Sequence, residues 1–185
     1  MPVASSVRAL VFLALAVASA ACEHGAGRGG DSSAARAPGE SARAWAIGID
    51  RARPQLTRKE WRSEVGEAAA TLSGFSAGDT LRLVREVLEQ GARGRRAARY
   101  YFDGAQLRYF ESEGSLAPAT SESPGAARKE RLVLAFDGRG ATVEALHQID
   151  GATAPLDSAQ IHGVVSRAAE LARQWATSPA APPKS

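Results

Sequence analysis

A phenylalanine, an aspartate and a glycine occur in the same order at two places, and this repeat limits the folds that the chain can adopt. The two copies are residues 102–104 and 136–138. An Asp-Gly pair between apolar runs is a strong hairpin signal, because a type I′ turn needs positive φ at both central positions. The chain is therefore predicted to contain two antiparallel β-hairpins, each with a phenylalanine beside its turn.

The first hairpin is predicted to have one apolar face. With Asp103 and Gly104 as the turn, three facing pairs are apolar: Phe102 with Ala105, Tyr100 with Leu107, and Ala98 with Tyr109. The opposite face sets Arg99 against Arg108. An apolar set confined to one face is what a correct register gives.

The second hairpin follows the same pattern. With residues 137–140 as a four-residue loop, the apolar pairs are Phe136 with Ala141, Leu134 with Val143, and Leu132 with Ala145. Residues 112–127 join the two hairpins, and their composition predicts a long loop that is functional or mobile. Together the hairpins predict a four-stranded antiparallel meander.

Residues 80–90 fit either a helix or a fifth strand. The helical interpretation has an apolar stripe of Leu81, Val84 and Leu88. The strand interpretation sets Glu86 opposite Arg99 and Glu89 opposite Arg96. Opposite charges across strands stabilise a sheet by roughly 0.2–1 kcal/mol each. We therefore prefer the strand, which makes five strands.

A helix is predicted on each side of this meander in the sequence. The first begins near Thr57, where Thr57 and Glu60 form a capping box, and ends at Ser73-Gly74. Its apolar stripe is Trp61, Val65, Ala68 and Leu72. The segment 45–49 before it either docks on the domain or stays loose.

The last helix is predicted from about Ser158 to Ala176, with Asp157 or Ser158 as its cap. Its apolar stripe is Ile161, Val165, Ala168, Leu171 and Trp175. The predicted fold class is α+β: a four- to five-stranded antiparallel meander flanked by an N-terminal and a C-terminal helix. Both helices cover one face, which leaves these residues on the other: Val84, Leu88, Tyr101, Phe110, Val133 and Leu146.

The first 21 residues have the features of a signal peptide. Arg8 supplies a positive charge, residues 9–18 form a short apolar run, and residues 19–21 are small. About ten apolar residues are too few to span a bilayer, which needs roughly 20. Residues 1–21 are therefore predicted to be removed on export.

Cys22 is the only cysteine, and it directly follows Ser19-Ala20-Ala21. This stretch resembles the bacterial lipobox, in which the cysteine becomes the lipidated first residue of the mature protein. Ser19 departs from that pattern, where an aliphatic residue is usual. Cleavage by the ordinary signal peptidase, which would leave a free thiol, is the alternative.

The remaining segments are predicted to surround one folded domain. Residues 22–44 are rich in Gly, Ser and Ala and are predicted to form a flexible tether. Residues 45–176 form the domain, and residues 177–185 a disordered tail. This organisation resembles that of small lipoproteins of bacterial envelopes, which implies a location on the membrane, exposed to the periplasm or the cell surface.

The sequence contains no recognisable catalytic, metal or cofactor motif. The three histidines, His24, His147 and His162, are far apart, and zinc needs clustered ligands. Residues 74–78 spell G-x-S-x-G, but a nucleophile elbow needs a strand before it and a helix after it. We therefore expect no enzyme, no metal and no cofactor.

The most suggestive polar feature is a group of arginines near the first hairpin. Arg96, Arg99 and Arg108 are candidates for an anion site, with a lipid headgroup or an acidic envelope polymer as ligand. Neutralisation of these arginines by Glu86 and Glu111 is the alternative. The net charge of +3 is too small to predict nucleic-acid binding.

These observations predict a non-enzymatic, membrane-anchored lipoprotein of the cell envelope. Its ligand would be a protein partner or a small apolar or anionic molecule. The alternatives are an envelope enzyme with an unrecognised site and a soluble exported domain without a lipid anchor.

Overall fold

A computed structural model of the protein describes residues 38–66, 68–89, 94–116 and 127–178. The predicted signal peptide, Cys22, most of the predicted tether, and most of the predicted tail lie outside the described residues. Residues 117–126, the middle of the segment that joins the two hairpins, also lie outside the described residues. The described residues form the predicted α+β fold, with two α-helices and an antiparallel sheet of eight strands, so the predicted number of four to five strands is wrong.

The sheet is a simple meander in which every strand pairs with its neighbours in sequence. Helix α1 (Pro38–Ala52) and a short 3₁₀ turn (Arg53–Gln55) precede the sheet, and helix α2 (Ser158–Thr177) follows it. The strands are β1 (Thr57–Val65), β2 (Ala68–Ala77), β3 (Thr80–Glu89), β4 (Arg95–Asp103), β5 (Gln106–Leu116), β6 (Arg128–Phe136), β7 (Thr142–Ile149) and β8 (Ala152–Thr153). No helix in the described part of the chain combines the length and the apolar character that crossing a membrane requires.

Both faces of the central strands are apolar, because successive residues of a strand point to opposite faces. In β4, Tyr100 and Phe102 belong to one hydrophobic cluster, and Tyr101 between them belongs to the other. All three side chains are almost completely buried. A sheet of this kind needs cover on both faces, and it has one helix on each.

Helix α2 covers the first face. Ala168 and Leu171 are its buried residues, and they pack in a cluster with Leu72, Val84, Tyr100, Phe102, Phe110 and Phe136. Asp157 caps the helix: its carboxylate accepts a hydrogen bond from the backbone N–H of Gln160, whose side chain accepts one from the N–H of Asp157. The helix and its Asp157 cap are therefore confirmed, to within one residue of the predicted end.

Helix α1 covers the opposite face. Ala42, Ala46 and Ile49 are buried there, in a cluster with Phe75, Leu83, Tyr101, Tyr109, Val133 and Ala135. The expectation that this face stays open is therefore wrong. Val84, Leu88 and Phe110 lie on the α2 side, Tyr101, Val133 and Leu146 pack on the α1 side, and five of these six residues are buried.

The helix predicted from Thr57 to Ser73 is wrong, because this segment forms β1, a turn at Gly66, and most of β2. Gly66 has φ = +59°, which glycine adopts without strain. Exposure alternates along β1, and Lys59, Trp61 and Ser63 are each half-buried. Trp61 and Val65 fit a period of two as well as a helical period. The segment forms strands because β2 pairs with β1 on one side and with β3 on the other.

The prediction of a tether over residues 22–44 is wrong at its end, because α1 begins at Pro38. Proline suits the first turn of a helix, where its missing N–H leaves no bond unmade. Four apolar residues recur at helical spacing and carry the contact with the sheet: Ala42, Trp45, Ala46 and Ile49. The docking alternative for residues 45–49 is thus the correct one.

The strand interpretation of residues 80–90 is confirmed by β3, which pairs with both β2 and β4. Its predicted register is wrong by one residue. Glu89 faces Arg95, and their side chains form an ion pair of 3.0 Å. Glu86 faces Ala98 instead of Arg99.

Both predicted hairpin registers are wrong as well, because each turn differs from the predicted one and a β-bulge lies beside it. The first turn consists of Gly104 and Ala105 instead of Asp103 and Gly104, and of these residues only Gly104 has positive φ. In the first hairpin Phe102 faces Leu107 and Tyr100 faces Phe110, which leaves Arg108 without a partner residue across the strands. In the second, Phe136 faces Thr142 and Leu134 faces Ala145. Turn residues alone do not reveal a bulge, since it inserts one extra residue into one strand.

The repeated Phe-Asp-Gly sequence marks two hairpin corners that touch each other. Phe102 and Phe136 are both buried beneath α2. The Gln106 side chain at the first corner donates to the carbonyl of Gly138 at 3.1 Å and accepts from the N–H of Gly140 at 2.8 Å, in the amide orientation that satisfies both groups. The two corners are thus joined into one end of the sheet.

The close approach of α2 to the sheet depends on Gly74. A Cβ atom at Gly74 would lie 2.7 Å from Cδ1 of Trp175 and 3.0 Å from Trp61, whereas one at Gly163 would meet nothing within 4 Å. We expect Gly74→Val to lower the free energy of unfolding by about 1–3 kcal/mol through overpacking. Urea unfolding measures this change.

Gly163→Ala is the control, because Gly163 lies on α2 and not at its contact with the sheet. It should raise the free energy of unfolding by about 0.5–1 kcal/mol, since alanine is the better helix former. A neutral Gly74→Val variant would show that α2 does not pack as closely as described.

Candidate functional site

The structure brings Arg99 to two carboxylates on the α1 face. Arg99 lies between Arg85 on β3 and Glu111 on β5. Its Nη1 atom is 2.7 Å from Oε1 of Glu111 and 3.8 Å from Oδ2 of Asp50. The predicted pairing of Arg99 with Arg108 is therefore wrong, and the alternative in which Glu111 neutralises Arg99 describes the contact.

The other two candidate arginines lie elsewhere. Arg96 is on the α2 face, opposite Leu88 and Gly114, and its Nε atom is buried with no hydrogen-bond partner among the described residues. Arg108 occupies the bulge of β5, close to Gly138 of the second corner. The three arginines do not converge on one site, and an anion-binding role for any of them stays a prediction.

A buried ion pair joins α2 to the middle of the sheet. Glu86 is 2% exposed, and its Oε1 atom accepts from Nη2 of Arg167 at 2.6 Å and from Nε at 3.0 Å. Its other oxygen accepts from the hydroxyl of Tyr100 at 2.9 Å. Burial, and then the Glu86 charge, raise the pKa of Tyr100, so its hydroxyl remains a donor.

This cluster has the features of a structural lock. Both Glu86 oxygens are satisfied, and Arg167 also binds Glu170 at 2.8 Å. Glu86 contributes to the lining of a hollow of about 180 Å³, but both of its oxygens are engaged by Arg167 and Tyr100. The sequence signal for Glu86 was its charge at a position that shares a strand face with the apolar Val84 and Leu88, and the distant Arg167 could not be identified as its partner.

His147 is also held from both sides. Its Nδ1 atom is 2.6 Å from the carbonyl oxygen of Pro155, and its Nε2 atom is 3.0 Å from Oε1 of Glu130. The ring thereby ties β7 to β6 and to the segment that leads into α2. Both nitrogens face oxygen acceptors, which leaves neither free to act on a ligand.

The remaining elements of a catalytic site do not come together in the described residues. Ser76 of the G-x-S-x-G sequence is buried in β2, and a turn and β3 follow it where a nucleophile elbow needs a helix. His162 is exposed on α2. No three His, Cys, Asp or Glu side chains in the described ranges are grouped so that they could hold a metal ion.

A cavity with apolar walls lies beside α1. We call it the α1 groove, and it is lined by Trp45, Gly48, Ile49, Ala52, Leu56, Ala77 and Arg82. Its volume is about 400 Å³. The C-terminal half of α1 forms one wall, and the ends of β2 and β3 form the other.

Arg82 is the single charged residue among the described residues that line the α1 groove. It is the extra residue in the bulge of β3. Its neighbours Leu81 and Leu83 pair with Ser76 and Phe75 of β2. Its Nη1 atom is 3.8 Å from Oδ1 of Asp103, longer than a hydrogen bond. The guanidinium therefore keeps N–H donors for a ligand at the groove.

Sequence reasoning missed this groove, because it assigned residues 38–44 to a tether and predicted no helix over the rest of α1. The available signal was the helical spacing of Ala42, Trp45, Ala46 and Ile49, followed by Leu56. The contribution of Arg82 had no sequence signal, since it depends on the bulge.

Two smaller cavities are less suited to a ligand. One of about 210 Å³ lies between α2 and the two hairpin corners, and Phe102, Leu107 and Phe136 contribute to its floor. Another of about 180 Å³ is a polar hollow over the sheet, lined by residues such as Arg85, Arg99 and Glu113. Arg99 in that hollow is already paired with Glu111.

No protein-family model, no curated protein and no solved structure matches this chain.

The Glu86–Arg167 pair yields a direct test of the lock. We expect Arg167→Leu to lower the free energy of unfolding by about 3–5 kcal/mol, because it leaves the Glu86 charge buried without its partner. Glu86→Leu should lower it by less, because Arg167 keeps its ion pair with Glu170. The double variant should lose less than the sum of the two, which urea unfolding measures as a double-mutant cycle. Strictly additive losses would contradict the lock.

Proposed function

We propose that this chain is a non-enzymatic lipoprotein of the cell envelope, anchored through Cys22, whose domain binds a small anionic amphiphile in the α1 groove. The observation that carries the ligand class is the combination of apolar walls with the charged Arg82 in the described lining of the groove. Ligand sites are typically apolar clefts in which a few polar groups fix the orientation of the ligand.

A small ligand is favoured over a broad protein interface by the distribution of apolar surface. Large hydrophobic residues with high exposure in the described part of the chain are Ile47, Val143 and Val165, and these lie on three different elements. Protein-binding patches are usually contiguous. The concave α1 groove is the better-formed candidate.

The absence of free catalytic groups around the α1 groove supports a binding role. Among the described residues, its lining contains no histidine, carboxylate, cysteine or hydroxyl group. Arg82 can orient an anion, but it cannot act as a general base because its side chain stays protonated. The domain is therefore proposed to bind its ligand and leave it chemically unchanged.

Two naphthalene probes test the groove, one with a sulfonate and one without. Anilinonaphthalene sulfonate should bind better than uncharged phenylnaphthylamine, as measured by fluorescence titration. Arg82→Gln should weaken the sulfonate probe by about tenfold, the usual worth of a charged hydrogen bond, and leave the uncharged probe unchanged. Equal effects on both probes would contradict the role of Arg82.

Gly48 allows the groove to be filled without unfolding the helix. A Cβ at Gly48 meets nothing within 4 Å, so a larger side chain fits there. Gly48→Leu should abolish binding of both probes, while helix propensity keeps the domain at least as stable. Gly48→Ala and Gly163→Leu are the controls, and probe binding that survives Gly48→Leu would move the site elsewhere.

The anchor is tested by the mass of the mature protein purified from membranes. We expect a diacylglycerol-sized addition on Cys22, and release of the Cys22→Ala variant from the membrane. An unmodified chain beginning near Ala21 would contradict the anchor. It would leave the proposal for the α1 groove intact.

A further inference from the structure

The outer side of α1 combines an exposed apolar residue with two cations. Ile47 is 46% exposed, the highest value among the large hydrophobic residues of the described chain. Arg43 and Arg51 are exposed one turn before and one turn after it, so the three lie along one side of the helix. We call this side, with the exposed Ala44 and Gly48, the α1 outer face.

The acidic groups near the α1 outer face are largely occupied. Asp50 accepts from the hydroxyl of Tyr101 at 2.9 Å and lies on the sheet side of the helix. Glu144 of β7 binds Arg43 at 3.0 Å, and the Arg43 side chain remains 48% exposed. Glu40, in the first turn, is the one exposed carboxylate of α1 itself.

Helix α2 provides a comparison within the same molecule. Val165 on α2 is 39% exposed, similar to Ile47. One turn away from it are Ile161 and Ala169 instead of arginines. The pairing of exposed apolar surface with cations is thus a property of α1, on the opposite face of the sheet.

The position of α1 in the chain indicates what could cover this face. Only 15 residues, 23–37, separate Cys22 from Pro38. Even a fully extended chain of that length spans no more than about 54 Å. A lipid on Cys22 would therefore hold α1 close to the bilayer, where binding of a second element is favoured by a high effective concentration.

We propose that the α1 outer face docks on an anionic phospholipid bilayer, with Ile47 inserted among the headgroups and Arg43 and Arg51 beside it. The proposal rests on the proposed function only for the lipid on Cys22. A single lipid signal gives reversible attachment, and a basic apolar surface is a recognised second signal. Each arginine near an anionic surface strengthens binding by roughly fivefold.

This orientation also places the α1 groove at the membrane. Gly48 follows Ile47 in the helix and lines the groove, as does Trp45. The mouth of the groove then opens beside the bilayer, from which an anionic amphiphile would enter it. Trp45 suits this position, since tryptophan favours the interface between lipid and water.

A fluorophore attached to either helix tests which one meets the bilayer. In the full chain with Cys22→Ala, a single cysteine is introduced at Ala44 on the α1 outer face or at Ala169 on α2, both of which are exposed. Each is labelled with nitrobenzoxadiazole and mixed with phosphatidylglycerol or phosphatidylcholine vesicles. The two labelled variants differ only in the position of the label, so a difference between their responses reports which helix meets the bilayer.

We expect the label at Ala44 to shift to the blue and brighten on phosphatidylglycerol vesicles, and the label at Ala169 to stay unchanged. Arg51→Glu should weaken the response by about 25-fold in lipid concentration, because it removes one cation and adds one anion. Ile47→Glu should weaken it at least as much. The matched controls Val165→Glu and Arg173→Glu on α2 should have no effect.

Three results would overturn the proposal. The first is no response at Ala44, the second is an equal response at Ala169, and the third is an equal response on phosphatidylcholine vesicles. None of these bears on Cys22, whose modification is read from the mass of the mature protein. An unmodified Cys22 in the mature protein, together with a positive response at Ala44, would overturn the anchor alone.

Discussion

The need to bury both faces of the central strands organises this molecule. Along β3 to β6, apolar side chains alternate between the cluster under α2 and the cluster under α1. A sheet with one apolar face is complete with one layer of helix, and this sheet needs two. Helix α1 before the sheet and helix α2 after it supply these two layers.

Polar groups buried between the sheet and the helices align these layers. Glu86 and Arg167 meet between β3 and α2, and His147 joins β7 to the approach to α2. On the other side, Asp50 of α1 meets Tyr101 of β4. Such contacts are specific in direction, whereas apolar packing is not, so they define where each helix lies on the sheet.

The same arrangement explains why the proposed binding role concerns α1. On the α2 side, the buried Glu86, Arg167 and Tyr100 are engaged with one another. The α1 side combines the larger apolar groove with an exposed cationic surface and is closest in sequence to Cys22. Ligand binding and membrane contact are proposed for one side of the domain.

The sequence by itself determined the local features of this protein. Asp157 and Gln160 are three residues apart and make the cap of α2 with no help from distant residues. The hairpin corners at Gly104 and the loop after Phe136 follow from residues that tolerate positive φ. These features were predictable because their interactions span only a few positions.

The tertiary structure decided the features that depend on distant partners. The stripe at Trp61 and Leu72 fits a helix in isolation, and pairing with β3 makes it a hairpin. The turns and the bulges near Phe102 and Phe136 together shift the registers and give Arg99 the partner Glu111. The α1 groove and its Arg82 exist only because α1 packs on the far face of the sheet, a contact between segments that no short sequence pattern specifies.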